Sequence, residues 1–179
     1  MREALFSATY RPDFLNCTSD RGLTLAPFRR SPMTPSRPDR FQETREILAR
    51  TSIPEPELRL LLRNITRNTV IAENLEMAGT SARRSKGLLG RSSLPLGGGL
   101  WIAPCESVHT FGMRFPIDLV YLDRSFEVKK VKHSVGPWRM SMCLSAHSIL
   151  ELPAGVIQSS RTRPGDLLDI SLAAPPSRR

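Results

Sequence analysis

Residues 117–122, IDLVYL, restrict this chain more than any other stretch, because five apolar residues and a single aspartate leave no polar face. Such a run reads as a β-strand covered on both sides, which demands neighbouring strands and a layer above and below. Just before it lie Cys105, His109, Thr110, Met113 and Arg114. A polar loop feeding a rigid strand is where binding sites are commonly built, since the strand fixes positions that the loop decorates.

The partners for that strand are visible along the chain. Leu58, Leu60 and Leu62 alternate with Arg59, Leu61 and Arg63, a two-residue period that marks a half-buried strand. A turn at 66–68 leads into Thr69–Met77, which makes a hairpin. Thr80 or Ser81 caps one short helix that Gly87 and Gly90 keep from extending. Three consecutive glycines at 97–99 precede the apolar run Leu100–Ala103; the order is loop then strand, so they read as a turn and not as a phosphate loop. Phe126–Val131 forms a strand whose apolar phase slips between Val128 and Val131, the mark of a bulge or a strand end. Ser148–Leu152 and Leu168–Leu172 complete the set. Six or seven short strands with one short helix predict a mainly β fold, a compact sandwich or barrel.

Composition places the domain within the chain. Seven prolines with interspersed Arg, Ser and Thr fall in residues 1–57, a stretch that buries too little to offset ordering entropy and reads as a disordered arm. One or two helical turns fit at Phe41–Arg50, and Met33 is an alternative initiator. The β-rich domain is expected at 58–172, with a short basic tail at 173–179. No run of eighteen apolar residues occurs, and Asp13, Asn16 and Asp20 interrupt every apolar patch near the start, so a soluble cytoplasmic protein is expected.

The net charge of +9 raises the question of an acidic partner. Arginine supplies most of the basic residues, which a genome rich in G and C produces irrespective of function, and only 6% of residues are aromatic. Charge alone gives only a non-specific electrostatic attraction and no stacking platform accompanies it, so a non-specific nucleic-acid accessory protein is the third reading, behind ligand binding and metal or thiol chemistry.

Four stretches then carry a resemblance: NTVIAENLEMAGTSARRSKGLLGR at 68–91, VHTFGMRFPIDLVYLD at 108–123, LELPAG at 150–155 and GDLL at 165–168. In this order the chain from about 58 to 172 resembles the bacterial and archaeal Domain of Unknown Function 192 family. The resemblance implies a compact β-rich fold of jelly-roll type and no activity.

For the site, the leading expectation is a non-catalytic domain that binds a small ligand or a partner, in a pocket walled by Trp101, His109, Met113, Arg114 and Trp138 with Asp118 beside it. A second expectation uses Cys105-x-x-x-His109 and Cys143-x-x-x-His147, since two thiolates and two imidazoles make a tetrahedral zinc set. The same cysteines offer a Cys105–Cys143 disulfide, against which a cytoplasmic address argues, or a thiol nucleophile in which His109 activates Cys105 and Asp118 orients the imidazole. The default for both is a small buried thiol. Arg83, Arg84, Lys86 and Arg91, and Lys129, Lys130 and Lys132, form two basic clusters that either hold an anion or serve as solvated faces.

Overall fold

The alternation that starts at Leu60 opens a body of nine strands and three helices in the computed structural model, which describes residues 37–54 and 57–173. In chain order these are α1 (Arg40–Ala49), β1 (Leu60–Asn64), β2 (Thr69–Ala78), α2 (Ser81–Lys86), β3 (Gly98–Ile102), β4 (Ser107–His109) and β5 (Ile117–Leu122). There follow β6 (Val128–Val135), β7 (Met140–Met142), β8 (Ser148–Pro153), α3 (Val156–Ser159) and β9 (Leu168–Leu172). Seven strands make one sheet in the order β6-β5-β8-β3-β2-β1-β9, while β4 and β7 pair as a separate ribbon.

The fold is mainly β, as expected, and its seven-stranded sheet is curled into a half-barrel. The sheet curls until its edges meet at one end, where Val128 donates to the Asp166 carbonyl at 2.9 Å and Leu168 to the Phe126 carbonyl at 3.0 Å. One cluster fills the concave side, with Leu60, Leu62, Trp101, Val120 and Leu150 at its centre. A second lies on the convex side and includes Leu100, Leu119, Tyr121 and Ile149. Strands β3, β5 and β8 are buried at every position because they lie between the two. IDLVYL is therefore the two-sided strand that its composition demands.

Local rules explain most of the joints. β1 and β2 form the expected hairpin, and β6 carries the expected bulge, since Tyr121 pairs with Lys130 but Leu122 pairs with Val128. Gly99 lies within β3, where a Cβ would stand 2.9 Å from Leu152 Cδ2 and 3.0 Å from Leu75 Cδ1, so only glycine lets the strand settle that close to the concave cluster. β2 and β3 run parallel, which requires a crossover, and that crossover carries α2 onto the convex face.

Two expectations need correction. The one helix expected within the domain is joined by α3, four residues long and without a helical period to mark it, while α1 falls where one or two helical turns were expected at Phe41–Arg50. Part of the stretch read as a disordered arm also lies inside the fold: Phe41 and Leu48 of α1 are buried in the concave cluster, and Phe41 packs edge-on to Trp101 at 5.8 Å. An Asp39 carboxylate accepting from the Gln42 N–H at 3.0 Å starts that helix. Residues 1–36 and 174–179, including Cys17, Met33 and most of the basic tail, lie outside the described residues. Among the described residues no helix is long and apolar enough to cross a membrane.

Candidate functional site

On the convex face of β8 the side chains alternate outward from Ile149 to Glu151, and Glu151 comes to rest between Leu100 of β3 and Leu119 of β5, its direct cross-strand neighbours. Its side chain is almost wholly buried, at 3% exposure, and its Oε2 has no hydrogen-bond partner among the described residues. Burial pushes the carboxyl up to about 7, against a smaller opposing pull from the Arg91 guanidinium. Arg91 itself is held by Glu76 through two bonds of 2.8 and 2.9 Å, so its charge reaches Glu151 only as a field. A buried acid of this kind titrates near neutrality because nothing repays the loss of water.

Glu151 forms part of the lining of a cleft of about 240 Å³. One wall is the end of α2 and the turn after it, where Gly87 takes φ +48° and a Cβ on it would stand 3.8 Å from Glu151 Oε2. Arg84 and Lys86 border the cleft there; Arg84 is tied back to the Gly79 carbonyl and to Ser81 Oγ. The facing wall is β4 with the segment before it, contributing Cys105 and His109, and Met113 adds an apolar surface. Thr110 fixes this wall: its hydroxyl donates to the Gly136 carbonyl at 2.8 Å and accepts from the Arg139 N–H at 2.9 Å.

Burial pushes the Cys105 thiol up, and its Sγ lies 3.0 Å from the Ser107 carbonyl, which a protonated thiol satisfies as donor. It is a neutral group in the cleft wall, not an activated thiolate. The relay imagined for it is not assembled. Both Asp118 oxygens accept backbone N–H groups, from Ser134 at 2.8 Å and Ile157 at 2.9 Å, and His109 stacks on Phe111 at 5.1 Å.

Of the residues expected to wall a pocket, His109 and Met113 do share the cleft, but the two tryptophans do not join them. Trp101 points to the concave side, fully buried between Phe41 and Phe126, while Trp138 is 69% exposed and leans on Phe111 at 5.8 Å. Arg114 is exposed in the loop before β5. The zinc set is not brought together either: no three His, Cys, Asp or Glu side chains among the described residues are grouped to hold a metal ion. His147 packs edge-on against Phe41 at 4.3 Å, where burial lowers its proton affinity, and Cys143 lies by Ser145 Oγ at 3.3 Å. Both cysteines are free thiols, so the disulfide is absent.

Glu151 is the residue that sequence reasoning passed over. The signal was present: it is the one charge in SILELP, a strand otherwise free of ionisable groups. The basic cluster of residues 83–91 divides, with Arg91 and Arg83 turned to Glu76 and Arg84 and Lys86 to the cleft.

Comparison with known proteins supplies a lineage. The sequence pattern of the Domain of Unknown Function 192 family, described as "Uncharacterized ACR", matches residues 63–170. A UPF0127 protein of the archaeon Thermococcus sibiricus is 32% identical over 115 residues, which is 61% of this chain and 73% of that protein. Two crystal structures share the fold. A candidate transcription regulator from Sinorhizobium meliloti is 18% identical with a TM-score of 0.56, over 63% of this chain and 92% of its own. A protein of unknown function from Novosphingobium aromaticivorans is 19% identical with a TM-score of 0.55, over 66% and 91%.

Proposed function

From a chain that belongs to the Domain of Unknown Function 192 family, whose relatives bring a fold but no activity, we infer a non-catalytic domain that binds a small polar ligand in the Glu151 cleft. The observation that carries this reading is the buried Glu151 carboxyl with an unpartnered oxygen facing a cleft. Buried polar groups in proteins are almost always satisfied, and one left open in a cavity is a group kept for something that enters. The ligand it fits has a hydrogen-bonding group for the carboxyl and a negative group for Lys86 and Arg84 at the rim. Apolar contact comes from Leu88, Ile102 and Met113. In a reducing cytoplasm Cys105 remains a thiol, and the cleft keeps its shape.

The test is a proton–nitrogen NMR titration of the full chain with acetate, N-acetylglycine, glycolate and inorganic phosphate as probes. Binding moves the amides of Gly87, Leu88 and His109 for at least one probe and shifts the pH at which Glu151 titrates. If no probe moves those amides, or if Glu151→Gln leaves the affinity of the bound probe unchanged, the reading is wrong.

A further inference from the structure

Strand β7 and its flanks have their polarity reversed. Trp138, Met140, Met142 and Leu144, two residues apart, are 69%, 73%, 57% and 77% exposed. Of the residues between them, Ser141 and Cys143 are half-buried, with Cys143 against the convex cluster, while Arg139 is exposed beside Trp138 and Met140. A strand on a protein surface normally turns its polar residues out and its apolar residues in, so this alternation is in the wrong phase for solvent. The other exposed apolar side chains are scattered along the chain, whereas these follow one edge of the β4–β7 ribbon. Phe111, 40% exposed, extends the ridge by packing against Trp138.

The charge beside the ridge is mainly positive, with the exposed Glu106 across the ribbon from Cys143 as an acidic neighbour. Between Val128 and Leu144 there are four Lys and Arg residues and no Asp or Glu. Lys130 and Lys132 line a groove with Met140 and Met142, and the Lys130 ammonium donates to the Met142 carbonyl at 2.7 Å. Long basic side chains along an exposed row of Trp, Met and Leu match a surface that is apolar inside and anionic outside. A second copy of the chain does not fit, because facing ridges would set Lys130 and Lys132 against each other.

We propose that the β4–β7 ribbon docks on an anionic lipid surface, with Trp138, Met140, Met142 and Leu144 entering the headgroup region and Lys130 and Lys132 against the phosphates. Only Met140–Met142 of the ridge is extended strand, with Trp138 and Leu144 carried by the bend before it and the turn after it. A contact one strand wide anchors weakly and reversibly, and it depends on both its apolar and its electrostatic part. This inference is independent of the Glu151 cleft.

The chain carries its own reporter, because it has two tryptophans and Trp101 is fully buried. The experiment mixes full-length protein with vesicles of phosphatidylcholine containing about one third phosphatidylglycerol, and measures flotation together with tryptophan emission. Expected are co-flotation, a blue shift that Trp138→Phe abolishes, and weakening by salt. Met140→Ser with Met142→Ser removes binding, and each of Lys130→Ala and Lys132→Ala weakens it about five-fold. Absence of a blue shift overturns the proposal, as does equal binding to pure phosphatidylcholine. Flotation that survives the double methionine variant also overturns it, and assigns the attachment to another part of the chain.

Discussion

Two carboxylates lie in neighbouring apolar strands of this sheet, and their surroundings differ completely. Asp118 of β5 is fully buried, yet each of its oxygens accepts a backbone N–H, one from β6 and one from the first turn of α3. Glu151 of β8 is buried nearly as deeply, and its Oε2 meets no donor among the described residues. The first carboxylate is a joint that ties two elements together, and removing it leaves donors without acceptors. The second lines a cleft, and its Oε2 ties no element of the fold to another among the described residues. Burial therefore does not separate structural from functional acids in this molecule; the fate of their lone pairs does.

The largest effect should come from breaking the joint. Asp118→Ala strands the N–H groups of Ser134 and Ile157, and costs about 4 kcal/mol in urea denaturation. Asp118→Asn, which keeps one acceptor oxygen and the shape, loses about half of that. A loss under about 1 kcal/mol for the alanine variant would show that Asp118 is not the joint described.

The second carboxylate predicts the opposite sign. Its folded-state pKa of about 7 lies above the ordinary value of 4.5, so the folded protein keeps a proton that the unfolded chain releases. The associated stability is complete below pH 4.5, falls as the pH rises to 7, and levels off beyond. The difference amounts to about 3 kcal/mol. Glu151→Gln has no such proton to lose, so its stability relative to the parent rises by that amount between pH 4.5 and pH 8. A difference that stays flat across this window in paired melts would mean that Glu151 is solvated or paired in solution.

How far the sequence exposes this contrast depends on the range of the interactions. The hairpin, the α2 start, the bulge near Lys129 and the two-sided strand are local, and turn chemistry or period-two burial makes them legible. α1 is legible as helical turns at Phe41–Arg50, but its docking through Phe41 and Leu48 onto strands far along the chain is not, and β4 and β7, with three residues each, are too short for any periodicity to reveal. At the site, His109, Cys105 and Met113 are legible as residues of a loop before a buried strand. Trp101 is not, because LWIA is apolar throughout and hides which residues face inward. Asp118 and Glu151 look alike in sequence, each a lone acid in an apolar strand; only the donors brought by β6 and α3 distinguish them.

The smallest effect sharpens the comparison most, because it probes the one charge that acts on Glu151 without touching it. Arg91 pulls the Glu151 pKa down through space while both its bonds go to Glu76. Arg91→Gln deletes that field, so Glu151 should titrate at a higher pH than in the parent, read from its side-chain carboxyl carbon by NMR. Stability should barely respond, by about 0.5 kcal/mol, since Arg91 and Glu76 are partly exposed and water screens their attraction. Raising the salt in the parent should move Glu151 in the same direction, but less, because the path between the two groups is partly buried. The pair of results separates the two opposing influences on Glu151, desolvation raising its pKa and the Arg91 field lowering it. If Arg91→Gln leaves the Glu151 titration where it was, desolvation acts alone, and the cleft is electrically isolated from the Glu76 pair beside it.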